Sequence, residues 1–240
     1  MNPRETMTRK VHAALEREPR INIHRFPIAI SNADGVVLLE GELADVAAKK
    51  LALDLAASVG GVSGIVDRLR VVAGERRGDG AVRDSLARLL LESPEFRNCT
   101  IRSHTNERDD VLRTAADGIG DIEISVADGI ITLDGHVISQ SHRRFAGVLA
   151  WWTPGRRDVV NSLAVRPDYE DRDDEITDVM RLVLEADSQV NADQIRPNCV
   201  NGVVMLDGNV PTAEQKRRAE LDAWALYGVT RVVNRLSVTD

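Results

Sequence analysis

Arg144 precedes Trp151 by seven residues and Arg217 precedes Trp224 by the same interval. Seven residues is almost two turns of an α-helix, so each cation is expected beneath an indole on one outward helical face. Guanidinium groups beside indoles suit the headgroup layer of an anionic membrane, where Arg meets phosphate and Trp sits at the apolar boundary. Lys50 takes the matching place in an earlier stretch, with Ala57 where the Trp would be, and Arg143, Trp152 and Lys216 stand beside the others. Lys50, Arg143, Arg144, Trp151, Trp152, Lys216, Arg217 and Trp224 are therefore the candidate lipid- or partner-binding residues. The competing expectation is that the indoles pack against a first helix or a neighbouring part of the chain. Exposed indoles favour the membrane reading, and indoles buried between units favour a rigid scaffold.

No comparable constellation points to catalysis. His12, His24, His104, His136 and His142 are scattered, without an HxxxH or His-plus-carboxylate spacing for a metal. Cys99 and His104 lie five residues apart without further partners. Cys99 and Cys199 fall outside any CxxC spacing, which leaves either one bridge or two reduced thiols. Nucleophile-elbow, phosphate-loop and dinucleotide motifs are missing from the sequence. Glu40, Asp134 and Asp207 each stand directly before a glycine. They read as exposed strand-end acids, or as part of a turn-built cation site. The expectation is no enzyme, no cofactor and no metal centre.

The elements that must position these residues are small. Of 240 residues, 43% are hydrophobic but only 3% aromatic, so the core has to be built from Ala, Val and Leu. No apolar run approaches the roughly 18 residues that read as a membrane span. The opening MNPRETMTRKVHAALE is amphipathic instead of offering an apolar leader core. The expected location is the cytoplasm, with peripheral membrane contact, or the periplasm if a leader has been removed beforehand. The net charge is −7, and residues 167–240 hold 8 basic against 15 acidic groups. Seven of those acids fall between Asp168 and Asp178 and form a local acidic connector. General affinity for nucleic acid is disfavoured by this balance.

Self-similarity is the main signal. DGVVLLEGEL begins at Asp34, DGIITLDGHV at Asp128 and NGVVMLDGNV at Asn201. Gly35, Gly129 and Gly202 are followed six residues later by Gly41, Gly135 and Gly208, and twenty-six later by Gly61, Gly155 and Gly228. The register continues through Leu69, Leu163 and Leu236. Asp-Gly or Asn-Gly supplies the positive-φ pair of a tight hairpin between two strands. A helix is expected over Ala44–Ser58, Ser139–Trp152 and Thr212–Leu226, each with an i,i+4 alanine pair: Ala52/Ala56, Ala146/Ala150 and Ala219/Ala223. Such small-residue faces let a helix approach a sheet closely. Upstream, Val11/Leu15, Val82/Leu86 and Ile176/Met180 mark another amphipathic helix per copy.

The fold expected is α+β, three tandem αββαβ units, each a small three-stranded sheet packed against two helices. The boundaries are 1–73, 79–166 and 171–240, with linkers at Ala73–Ala81 and Arg166–Asp174. Val82 to Gly129 takes 47 residues, whereas the matching intervals in the other copies take 24 and 26. The surplus, around 96–120, reads as a polar loop holding a short helix. A unit of about 65 residues buries only about 60% of its unfolded surface, so contact between units is expected.

The run DG-V-V-x-L-x-G, an Ala-rich helix and then GV-x-x-V-V-N-x-L-x-V resembles the BON domain, the bacterial osmotically-inducible and nodulation module. Three copies cover nearly the whole chain. NGVVMLDGNV with GVTRVVNRLSV matches most closely, while Arg156 replaces Val62 and Val229, and Asp67 replaces the Asn. The resemblance implies a non-enzymatic binding domain associated with phospholipid or the cell envelope, in osmotic or stress response. The partner is then an anionic phospholipid surface or a protein. The alternatives are a soluble potassium or calcium sensor, and a scaffold or homo-oligomer joined through the Trp residues.

Overall fold

The computed structural model describes residues 3–105, 109–116, 118–167 and 172–239. They form two compact units, Met1–Val72 and Ala73–Asp240.

In the first unit the amphipathic Val11/Leu15 stretch lies in α1 (Pro3–Glu16), followed by β1 (Ile28–Ala33), β2 (Val36–Leu43), α2 (Val46–Ser58) and β3 (Gly64–Val71). Asp34 and Gly35 take φ of 51° and 87°, the positive pair of a hairpin turn, so β1 returns antiparallel as β2. α2 then crosses over to lay β3 parallel to β2. Asp45 caps α2 by accepting from the Ala48 N–H at 3.0 Å. Val11, Leu15, Val37, Leu39, Leu43, Ala52, Ala56 and Leu69 are wholly buried between helices and sheet. Each large aliphatic among them contributes about 1.5–3 kcal/mol. Gly41 pairs with Ile28, and a Cβ there would stand 2.6 Å from the Pro27 carbonyl oxygen. For Gly135 and Gly208 the carbonyls of Asp121 and Gln194 lie closer still. This explains why the second glycine recurs.

The second unit holds two further copies. One comprises α3 (Asp79–Glu92), β4 (Cys99–His104), β5 (Asp109–Arg113), β6 (Gly120–Ala127), β7 (Ile130–Val137), α4 (Gln140–Trp152), β8 (Asp158–Asn161) and β9 (Ala164–Val165). The other comprises α5 (Asp173–Ala186), β10 (Ile195–Val200), β11 (Val203–Val210), α6 (Ala213–Ala225), β12 (Arg231–Asn234) and β13 (Ser237–Val238). The β6/β7 and β10/β11 hairpins are antiparallel, and β8 and β12 run parallel to β7 and β11. All six stripe alanines are fully buried. The α+β class and the repeated unit are thus as expected.

The insertion differs from its expectation. Where a loop with a short helix was expected, β4 and β5 extend the sheet to the order β5-β4-β6-β7-β8. Cys99, Ile101 and Ser103 are buried and alternate with Thr100, Arg102 and His104, the period of a half-buried strand. Arg113 of β5 donates to the carbonyls of Cys99 and Leu91, each at 3.2 Å, and also to that of Phe96. It thereby ties the new hairpin to the end of α3. Residues 106–108 and 117 of the expected loop, and 168–171 of the expected acidic connector, lie outside the described residues.

Within that connector Asp173 and its neighbours begin α5, where acids favour the helix dipole. Asp173 accepts the Asn201 and Gly202 N–H groups at 2.5 and 3.1 Å, and Asp79 of α3 does the same for Asp128 and Gly129 at 2.9 and 2.8 Å. The two acids therefore clamp the hairpin turns. The Asn201 and Gly202 hydrogen bonds hold the Asp173 carboxyl below its ordinary pKa.

Candidate functional site

α4, α5 and α6 bring most of the candidate residues together, but at a junction between the second and third repeats instead of on an outward face. Residues 144–150 of α4 are buried without a break, because the alanine stripe meets its own sheet while the other side meets the third repeat. Arg144 is fully buried, and its Nε donates to the Tyr227 carbonyl at 2.9 Å. Glu175, in the acidic first turn of α5, lies 4.0 Å from the Arg144 Nη1. Gly228 gives this guanidinium room, since a Cβ there would stand 3.2 Å from its Nη2. Arg143 covers the Tyr227 ring at 4.4 Å.

The outward, cation-beneath-indole arrangement is therefore corrected for Arg144 and Trp224, both of which are fully buried. Trp151 is half-buried with the Arg156 guanidinium 6.0 Å from its ring centre. Trp152, also half-buried, donates its indole N–H to Asp222 of α6 at 2.8 Å. Arg217 is exposed. Lys50 is half-buried in the first unit, and burial pushes its ammonium down to about 8 against the pull of Asp54. The competing expectation, indoles packed against neighbouring parts of the chain, is the one that Trp224 follows, because α4 and α6 each have two covered faces.

Lys216 performs a structural task common to the three copies. Its Nζ donates to the Leu236 carbonyl at 2.6 Å, as that of Lys49 does to Leu69 at 2.9 Å, and Arg143 reaches the Asn161 carbonyl at 3.3 Å. Asn161 and Asn234 return a bond to the Arg143 and Lys216 carbonyls at 2.7 and 2.9 Å. Asp67 has no N–H to return, and it pairs instead with the buried Lys49 ammonium at 2.9 Å. One substitution in the repeat thus converts a helix-to-strand hydrogen bond into an ion pair.

Other residues at the junction escaped notice: Tyr227, Asp187, Arg218 and Asp222. Asp222 carried a signal, because it lies three residues after Ala219 and one before Ala223, on the stripe that must be buried. Burial, opposed by the Trp152 hydrogen bond, raises its carboxyl to about 7.

Redox and metal chemistry gain nothing from the geometry. Cys99 and Cys199 are buried free thiols. Burial raises both pKa values, that of Cys199 to about 11, so neither is a ready thiolate. His104 is hydrogen-bonded to Asp109 on the neighbouring strand. Among the described residues no group of three or more His, Cys, Asp or Glu is placed to hold a metal ion. No helix of the described residues is long and apolar enough to cross a membrane.

The opposite faces of the sheets carry exposed side chains that did not enter the candidate set. In the third repeat the register places Asn198, Met205 and Val233 in one row and Val200, Val203 and Arg231 in the next. Arg196 and Arg235 flank Asp207 in the row beyond, with an Arg235 nitrogen 3.9 Å from the Asp207 carboxylate. Arg196, Arg231 and Arg235 are exposed and Val200 is 48% exposed, while Val203, Met205 and Val233 are half-covered. The corresponding face of the second repeat is acidic, with Asp121, Glu123 and Asp134, and Arg102 pairs with Asp121 at 2.6 Å.

The chain is similar to several known proteins. Osmotically-inducible protein Y of Escherichia coli (strain K12) is 32% identical over 122 residues, which cover 48% of this chain and 61% of that protein. Two structures of CdsD, a structural protein of the type III secretion system of Chlamydia trachomatis, are each 14% identical. The first, a C-terminal domain, covers 97% of this chain and 96% of its own at a TM-score of 0.26; the second covers 98% and 92% at 0.23. Neither score establishes a common overall arrangement. The family model of the BON domain matches residues 4–73, 105–167 and 172–240, and the middle match begins after α3 and β4. Each segment contains a glycine-turned hairpin, an alanine-striped helix and a parallel closing strand, and on these grounds the chain belongs to the BON domain family.

Proposed function

We propose that this chain is a non-enzymatic binding protein of an osmotic or stress response that docks on an anionic phospholipid surface through the open face of its third sheet. The observation that carries the reading is the sorting of charge. Residues 167–240 are acidic as a whole, yet this one face presents Arg196, Arg231 and Arg235 against a single carboxylate, Asp207. Arginine forks match phosphate oxygens. Val200, Val203, Met205 and Val233 between them offer an apolar strip to the headgroup boundary. The helical cations favoured by the sequence are less suitable, since Arg144 is enclosed and Lys216 and Arg143 are engaged with strand carbonyls.

Co-sedimentation with phosphatidylglycerol vesicles, with phosphatidylcholine vesicles as the neutral reference, tests the proposal. Binding is expected only to the anionic vesicles, weakening as salt shortens the screening length. The double variant Arg196→Glu with Arg231→Glu is expected to reduce it by about 1000-fold, on the order of 1 kcal/mol per charge removed and again per charge reversed. Binding unaffected by this variant would dismiss the sheet face, and no preference for anionic vesicles would dismiss the phospholipid reading.

A further inference from the structure

At the junction of the second and third domains, two carboxyl groups occupy a space closed to solvent. Asp222 of α6 is 2% exposed and Asp187, at the end of α5, is 4% exposed. Asp187 is satisfied as an anion: one oxygen accepts from the Arg218 Nε at 2.6 Å and the other from the Gln189 N–H at 3.0 Å. Asp222 is not. Its Oδ1 accepts the Trp152 indole N–H at 2.8 Å, with the Arg218 Nε at 3.8 Å, but its buried Oδ2 has no donor among the described residues.

The charged groups facing the pair are few. Arg218 lies one turn back on α6, and Arg156 after α4 is near enough for the two guanidinium groups to repel. β11 and β12 turn the apolar Val204, Leu206 and Val232 toward α6. One guanidinium therefore serves two buried carboxyls. A proton on Asp222 Oδ2 turns that unsatisfied acceptor into an O–H donor toward Asp187 and removes the like-charge repulsion.

We infer that Asp222 and Asp187, both of the third domain, form a proton-operated latch at its junction with the second, held shut by a shared proton; the Trp152 hydrogen bond from the second domain favours the ionised carboxyl and opposes the latch only in part. The latch loosens as the proton is lost. Its direction follows from the folded protein holding the proton more tightly than the unfolded chain does, up to about pH 7 against an ordinary 3.8. Proton binding by the folded protein exceeds that by the unfolded chain between those limits. The latch contribution is thus complete below about pH 4, weakens about tenfold in the folding equilibrium for each pH unit above that, and is gone beyond about pH 7.

The test uses the full chain and two readouts, Trp emission and urea unfolding, between pH 5 and 8.5. The emission lost in Trp152→Phe is expected to titrate with a midpoint near 7. Asp222→Asn keeps an acceptor for the indole and places an N–H donor toward Asp187, so it mimics the protonated latch. Its stability relative to the parent is expected to rise about tenfold per unit from pH 5 to 7. Parallel pH profiles for the two proteins would overturn the inference. Should Asp222→Asn fail to fold, Asp187→Asn decides the matter: loss of the neighbouring charge is expected to move the emission midpoint down by about one pH unit or more, and an unmoved midpoint sinks the latch.

Discussion

Arg144 illustrates how a single charged residue can join two domains. Its guanidinium leaves the second repeat, bonds the Tyr227 carbonyl of the third and faces the acidic start of α5. Replacing it with Ala leaves that carbonyl without its donor and opens space beside Gly228. Arg144→Ala is expected to lose about 2–4 kcal/mol in urea unfolding, while Ala substitution of the exposed Arg231 stays within about 0.5 kcal/mol. Arg144 was legible as a residue to watch but not in its role. Spacing along one helix reports which side chains share a face; it does not report how many neighbours that helix has. The acids at 173–175 were legible as an acidic patch, whereas their partners, two hairpin N–H groups and a buried Arg, come from distant parts of the chain.

The repeated hairpin was the most readable element, because its turn chemistry is local. Asp34, Asp128 and Asn201 adopt φ of 51°, 53° and 52°, and the glycine after each continues the same turn. The second glycine is required by a neighbour across the strand pair. Gly208→Ala is therefore expected to cost about 2 kcal/mol or more, measured by thermal unfolding, since both the positive φ of 129° and the Gln194 carbonyl oppose a Cβ. The extra hairpin β4/β5 was hard to see for the opposite reason. Its alternation spans only Cys99 to Ser103, and the polar sequence NERDD that comes soon after has no hydrophobic period at all. What makes it a strand pair is the existing sheet, which offers β6 as a template for β4.

At the scale of the whole molecule, three similar modules are distributed over two compact units, 1–72 and 73–240. Marginal size explains the joining of the second and third, since small modules gain stability by covering one another. Residues 73–240 expressed alone are expected to unfold in one cooperative step, with fluorescence and circular dichroism transitions coinciding. Residues 73–166 alone would expose Arg144 and Trp152 and are expected to be markedly less stable in the same measurement. The borders of the sheets have a further consequence. β8 and β12 are four residues each, β5 carries Asp109, Asp110 and Arg113, β10 contains Pro197, and β3 displays Asp67, Arg68 and Arg70. Short, charged or proline-bearing borders resist the addition of a foreign strand. At these five borders recognition is left to side chains on broad surfaces, whereas β1, the uncharged and proline-free IAISNA, is the one border among the described residues without such protection.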